Sequence, residues 1–186
     1  STSYLNTLTP AIYTGVWATY QINDRWIMML GIFNDTDRRI DKAKGISIGS
    51  MLSYEKGDFK ASLSNFSGRE AYGLISVTDL LMDYNITQKH KISCEVLYNF
   101  INSDDINNSF YGANLYYTYM INKQKSFNLR AEYFNNKNGF GYDVKENSIY
   151  GITAGFKYLI FKRIVLMPEL RYDKATKNTF INDDGG

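Results

Sequence analysis

The sequence predicts an all-β fold, a transmembrane antiparallel up-and-down β-barrel. Three observations predict it: long period-two alternation, aromatic residues toward the ends of the apolar parity, and connections that alternate between short and long. Tyr 16 and Phe 11 stand against Trp 2, and tyrosine suits positions with one apolar and one wet end. Each alternating segment reaches the roughly 9 to 11 residues that a tilted strand needs to cross an outer-membrane hydrocarbon layer.

At least ten strands can be drawn. In the first, Ile12, Thr14, Val16, Ala18, Tyr20 and Ile22 oppose Tyr13, Gly15, Trp17, Thr19 and Gln21. The second, RWIMMLGIF, is apolar on both faces, and its period assigns neither. In the third, Ile46, Ile48, Leu52 and Tyr54 oppose Ser47, Gly49, Ser53 and Glu55; in the fourth, Phe59, Ala61 and Leu63 oppose Lys60, Ser62 and Ser64. The fifth sets Leu80, Met82, Tyr84 and Ile86 against Asp79, Asp83, Asn85 and Thr87. The sixth sets Ile92, Cys94, Val96, Tyr98 and Phe100 against Ser93, Glu95 and Asn99. In the seventh, Tyr111, Ala113, Leu115, Tyr117, Tyr119 and Ile121 oppose Gly112, Asn114, Tyr116 and Thr118. In the eighth, Phe127, Leu129, Ala131 and Tyr133 oppose Asn128, Arg130 and Glu132. Tyr150 to Ile160 and Ile164 to Tyr172 supply the last two, with Gly151, Thr153, Gly155 and Lys157, then Glu169, Arg171 and Asp173, on the polar parity. No charge stands mid-segment on the apolar parity. Pro168 cannot donate to a ladder and predicts an irregularity in the tenth strand.

Short connections lie around Asn23-Asp24, Lys56-Gly57-Asp58, Gln88 to Lys91, Asn122 to Lys125 and Lys162-Arg163. Longer polar ones are expected at Asp35 to Lys44, Gly68 to Gly73, Asn102 to Ser109 and Asn135 to Asn147. The result is a hairpin repeat of roughly 35 residues, read as a single β-barrel domain or part of one across residues 1–186. Alternation alone also fits a soluble barrel. Strands of this length, where soluble domains favour about five or six residues, and the terminal aromatics favour the membrane.

Composition narrows the chemistry. A net charge of +2 with no concentrated basic face excludes a nucleic-acid role. One cysteine, Cys94, excludes an internal disulfide and a cysteine metal cluster. The longest apolar run, Trp26 to Phe33, is too short for a membrane helix, and STSYLNTLTP lacks the basic start and apolar core of a signal peptide. The acids Asp35, Asp37, Asp104-Asp105 and Asp183-Asp184 fall in expected loops without EF-hand spacing, and read as solvated. The only histidine, His90, reads as a turn residue far from the long loops, which speaks against a hydrolase base. No cofactor, metal or catalytic residue is expected.

The segments LRAEYFNNKNGFG, YGITAGFKY and RIVLMPELRYD, with LTPAIYTGVWATYQINDRWIMMLGIFND earlier, resemble the β-barrel porins of the OmpL-like (porin-2) group of Gram-negative bacteria. The likeness spans Thr9 to Asp173. It implies an outer-membrane barrel acting as a passive channel, with membrane lipid and lipopolysaccharide around it and small hydrophilic solutes or ions inside it. Homo-oligomerisation is left open. The group's members are longer and end on an aromatic strand residue, whereas this sequence ends INDDGG, so closing strands and an N-terminal portion are expected elsewhere. A non-conducting structural or adhesive barrel, an outer-membrane hydrolase and a soluble ligand-binding barrel are the alternatives.

In such a barrel the charges facing the lumen set selectivity. Parity makes the pore-lining candidates Glu55, Lys60, Asp79, Asp83, Glu95, Arg130, Glu132, Lys157, Glu169, Arg171 and Asp173. A three-residue turn at Lys162 to Ile164 would set Lys157 opposite Glu169 as a cross-strand ion pair.

Overall fold

A computed structural model describes residues 2–8, 14–34, 45–70, 73–102, 107–136, 147–161 and 163–177. After a short helix α1 (Tyr4–Leu8), the chain forms β1 (Gly15–Gln21), β2 (Trp26–Phe33), β3 (Ser47–Lys56), β4 (Phe59–Glu70), β5 (Gly73–Asn85) and β6 (His90–Asn102). There follow β7 (Asn107–Asn122), β8 (Lys125–Asn136), β9 (Asn147–Ile160), β10 (Ile164–Leu166) and β11 (Glu169–Ala175). All belong to one 11-stranded antiparallel sheet in which sequence neighbours pair, the exception being β11, which pairs with β9. Both β10 and β11 run along β9 in one continuous register, from Ile164↔Ile160 to Ala175↔Ile149. They are one tenth strand broken at Met167-Pro168, where the Pro168 carbonyl still accepts from the Phe156 N–H at 3.1 Å. Among the described residues the sheet is not closed: β1 pairs only with β2, and β10 and β11 only with β9.

The tight turns are held by side chains that imitate a backbone turn. Asn23 Oδ1 accepts from the Arg25 and Trp26 N–H groups at 2.9 and 3.1 Å, and Asn122 Oδ1 from those of Gln124 and Lys125 at 2.9 and 3.0 Å. Thr87 Oγ1 does the same for Lys89 and His90 at 3.1 and 3.2 Å. Gly57 takes a φ of 57°, which a residue with a side chain would resist.

Two of the expected long loops are shorter than the sequence suggests. Gly68 to Glu70 belong to β4 and Gly73 opens β5; likewise β7 begins at Asn107. Ladder hydrogen bonds need no apolar side chain, so polar residues that read as loop continue the pairing. Positions 35–44 and 137–146 lie outside the described residues, as do Asp35, Asp37, Asp104-Asp105, Lys162 and Asp183-Asp184.

Register turns parity into surfaces. On the outer face Met28, Leu52, Leu63, Leu80, Val96 and Ala113 form one apolar row across β2–β7. Aromatic belts flank that band. At the short-turn end Trp26 packs on Tyr54 (4.7 Å) and Tyr54 on Phe59 (6.2 Å), and Lys125 caps the ring of Tyr158 at 4.9 Å. His90 belongs to this belt as the first residue of β6, stacked on Tyr119 at 4.8 Å and hydrogen-bonded through Nδ1 to the Tyr117 hydroxyl at 2.7 Å. At the other end Tyr111, Tyr133 and Tyr150 meet at 6.2 and 5.3 Å.

Strands of 13 to 16 residues, β5 to β7, exceed the crossing length, and beyond it the polarity inverts. Toward the long-loop rim the outer face carries hydrogen-bonded polar groups, Asn65 with Thr78 (2.9 Å), Ser67 with Ser76 (2.8 Å) and Asn135 with Ser148 (2.9 Å). The inner face there is a dry cluster of Phe33, Phe66, Ile75, Val77, Leu97, Ile101, Phe110, Phe134 and Ile149, joined by Leu5 of α1. Phe110 and Phe134 are fully buried and Leu5 is 1% exposed. The polar parity read from the sequence is therefore largely apolar toward the long-loop rim, although Asn99, Asn136 and Asn147 are buried on it there.

A charge on each face should separate them. Leu63→Arg, in the outer apolar row, is expected to cost about 2–4 kcal/mol, and Ser62→Arg beside it on the inner face under about 1 kcal/mol, in urea titrations of vesicle-refolded protein.

Candidate functional site

The hydrogen-bond register sorts the inner-face residues into rows across the strands. One row runs Ser53, Ser62, Leu81, Glu95, Asn114, Glu132, Gly151 and Asp173. The next, one step toward the short turns, runs Glu55, Lys60, Asp83, Ser93, Tyr116, Arg130, Thr153 and Arg171. Eight of the eleven sequence candidates stand in these two rows. Because barrel strands tilt, such rows climb as a spiral band rather than a level ring. The row above holds Met51, Ser64, Asp79, Leu97, Gly112, Phe134, Ile149 and Ala175, so Asp79 is a lone charge in the first apolar row.

The band is knitted by ion pairs. Lys60 Nζ lies 2.7 Å from Glu55 Oε1, and Lys91 Nζ 3.0 Å from Asp83 Oδ1. Asp83 also accepts from the Ser93 hydroxyl at 2.5 Å. On β8–β11 the network centres on Glu132, 5% exposed, whose Oε2 lies 3.1 Å from both Arg130 Nε and Arg171 Nη2. Both contacts to Oε2 are ion pairs without aligned hydrogen-bond geometry. Arg171 Nε also reaches Asp173 Oδ2 at 2.8 Å, and Arg130 Nη2 donates to the Thr153 hydroxyl at 3.3 Å. Gly151 makes room for this convergence: a Cβ there would stand 2.8 Å from Asp173 Oδ1 and 3.2 Å from Glu132 Oε2.

The same network docks α1 against the inner wall. Glu132 Oε1 accepts the Tyr4 N–H at 3.1 Å, Arg171 Nη1 donates to the Thr2 carbonyl at 2.8 Å, and the Arg171 guanidinium lies 4.7 Å over the Tyr4 ring. Tyr4 stacks on Phe134 at 5.9 Å, which joins the polar clamp to the apolar socket.

One expected pair is not formed as drawn. The last turn lies between Ile160 and Ile164, one residue earlier than expected, so Glu169 pairs across with Gly155 rather than Lys157. Both side chains keep the inner parity, and Lys157 is exposed. The sequence reading passed over Lys91, assigned to a turn, and Asn114 and Tyr116, whose polar parity was legible but whose partnership with Glu95 needs the β6–β7 register. For α1, five residues reading YLNTL carry no signal of docking.

A sheet apolar outside, banded by aromatics and charged within, defines the wall of a porin-type outer-membrane channel. The whole chain, residues 1–186, matches the family described as "Putative beta-barrel porin-2, OmpL-like", and it belongs to that family. Among solved structures it is similar to one described as "NanC porin structure in rhombohedral crystal form", at 12% identity and a TM-score of 0.49 over 87% of this chain and 79% of that one. No curated protein matches it.

Replacing Glu132 by Gln leaves Arg130 and Arg171 without their shared carboxylate in a mostly buried site. A loss of about 3 kcal/mol is expected in urea unfolding, because a broken buried pair strands its partner charges.

Proposed function

We propose that this wall lines a channel for passive diffusion of small hydrophilic solutes or ions across the outer membrane, with no catalytic step. The observation that carries the reading is the segregation of Glu55, Lys60, Asp83, Arg130, Glu132, Arg171 and Asp173 onto one face opposite a continuous apolar row. A polar lumen lowers the cost of carrying a hydrated solute through hydrocarbon, and fixed charges along it bias what passes. Lys157, Glu169, Asp79 and Glu95 complete the proposed lining. The hydrolase alternative draws no support from His90, whose ring nitrogen is engaged by Tyr117 on the outer face.

One observation favours a second reading, a non-conducting structural barrel: Leu5, Phe110 and Phe134 fill part of the inner face toward the long-loop rim. Planar-bilayer recording on the full-length protein separates the two. Discrete conductance steps are expected from protein that shows heat-modifiable gel mobility; folded protein that carries no current would leave the structural barrel.

A further inference from the structure

Resting on the channel reading, we propose that the chamber between α1 and the inner face of β1–β6 is a cation subsite. It takes a primary ammonium group on an apolar body and biases passage toward cations.

The chamber has a volume of about 600 Å³, with Asn6 of α1 at its border and Trp17, Phe33 and Phe66 in its walls. Among the described residues lining it, the charged ones are Asp79 and Glu95. They come from diagonal positions on β5 and β6, since Asp79 pairs across with Leu97, two residues from Glu95.

Charge accounting sets these two apart. Glu55, Asp83, Glu132 and Asp173 each have a basic side chain within 2.7 to 3.1 Å. Asp79 and Glu95 have none among the described residues. Glu95 is held by neutral donors, Asn114 Nδ2 at 2.7 Å and the Tyr116 hydroxyl at 3.4 Å, which leave its charge uncompensated. Asp79 Oδ1 is occluded from solvent and has no hydrogen-bond partner among the described residues.

Carboxylates withdrawn from water without a counter-ion carry a desolvation cost that an entering cation relieves. Ring faces beside them add cation–π attraction and a surface for an apolar body. An anion of the same size meets the same rings and is repelled by both acids.

The test uses phenethylammonium and its anionic counterpart 3-phenylpropionate. In planar bilayers holding the full-length protein across a KCl gradient, the zero-current potential should have the sign of potassium preference. Phenethylammonium should block current at a concentration at least about tenfold below that of 3-phenylpropionate. Asp79→Asn with Glu95→Gln should shrink both differences at least about threefold, while Asp79→Glu with Glu95→Asp retains them. A parallel readout needs no current: in detergent, with Trp26→Phe so that Trp17 reports alone, phenethylammonium should change the fluorescence saturably, and the doubly neutralised variant should lose that response. Heat-modifiable mobility confirms that each variant is folded. Anion preference, equal block by both probes, or a Trp17 response that survives neutralisation overturns the subsite. Absence of any current removes the channel reading instead, and the Trp17 titration then decides the subsite alone.

Discussion

Every backbone N–H and C=O that lies in hydrocarbon needs a partner inside the protein, and the rest of this structure depends on that constraint. It forces pairing along every strand, and pairing with period-two geometry then fixes which side chain faces which solvent. A slip of β5 by one residue along β4 would turn Leu80 inward and bring Asp79 opposite Leu63 on the lipid side. The same constraint acts on the two sheet edges. β1 runs from the long-loop rim to the short-turn rim, and β10–β11 runs back the other way. They can meet directly as an antiparallel pair, or across an even number of strands; an odd number would force a parallel contact into the meander.

Where strands outrun the bilayer the constraint changes sign, and the side chains follow. In hydrocarbon the outer face must be apolar and the inner face can hold water. Past it the outer face meets water, as Asn65, Ser67, Ser76 and Thr78 show, and the inside can close like the core of a soluble barrel. Leu5 and Phe134 use that closure to seat α1. The clamp of Glu132 and Arg171 lies at the boundary between the dry half and the charged half, where Tyr4 offers its N–H to a carboxylate and its ring to Phe134 together.

The sequence made faces legible and levels illegible. Period two assigned Lys60, Arg130 and Arg171 to one side because each sits between apolar neighbours on its own strand, and Glu55 because it alternates with Leu52 and Tyr54. That they share one row depends on turn lengths, and a turn misplaced by one residue moved Glu169 from Lys157 to Gly155. The inner cluster was hidden for a related reason. Ile75 and Val77 share the parity of Asp79, but they stood beside residues read as loop, where alternation is not usually sought. Gly151 looked like strand glycine of no special purpose until the register placed Glu132 and Asp173 on either side of it.

The pairing of most inner charges follows from where they stand. A single charge on a narrow, partly dry wall interacts strongly with whatever passes, and also disfavours folding by its own desolvation. Neighbouring strands offer a remedy, because opposed positions lie close enough for Glu55 to neutralise Lys60 and for Arg171 to be shared by Glu132 and Asp173. Such pairs stiffen the wall and contribute little net field along it. The field a solute meets is then set by the charges left over, so counting acids and bases in the sequence says little about selectivity. The chain as a whole carries +2, the band of paired charges adds little net charge, and Asp79, Glu95 and the exposed Lys157 stand outside it.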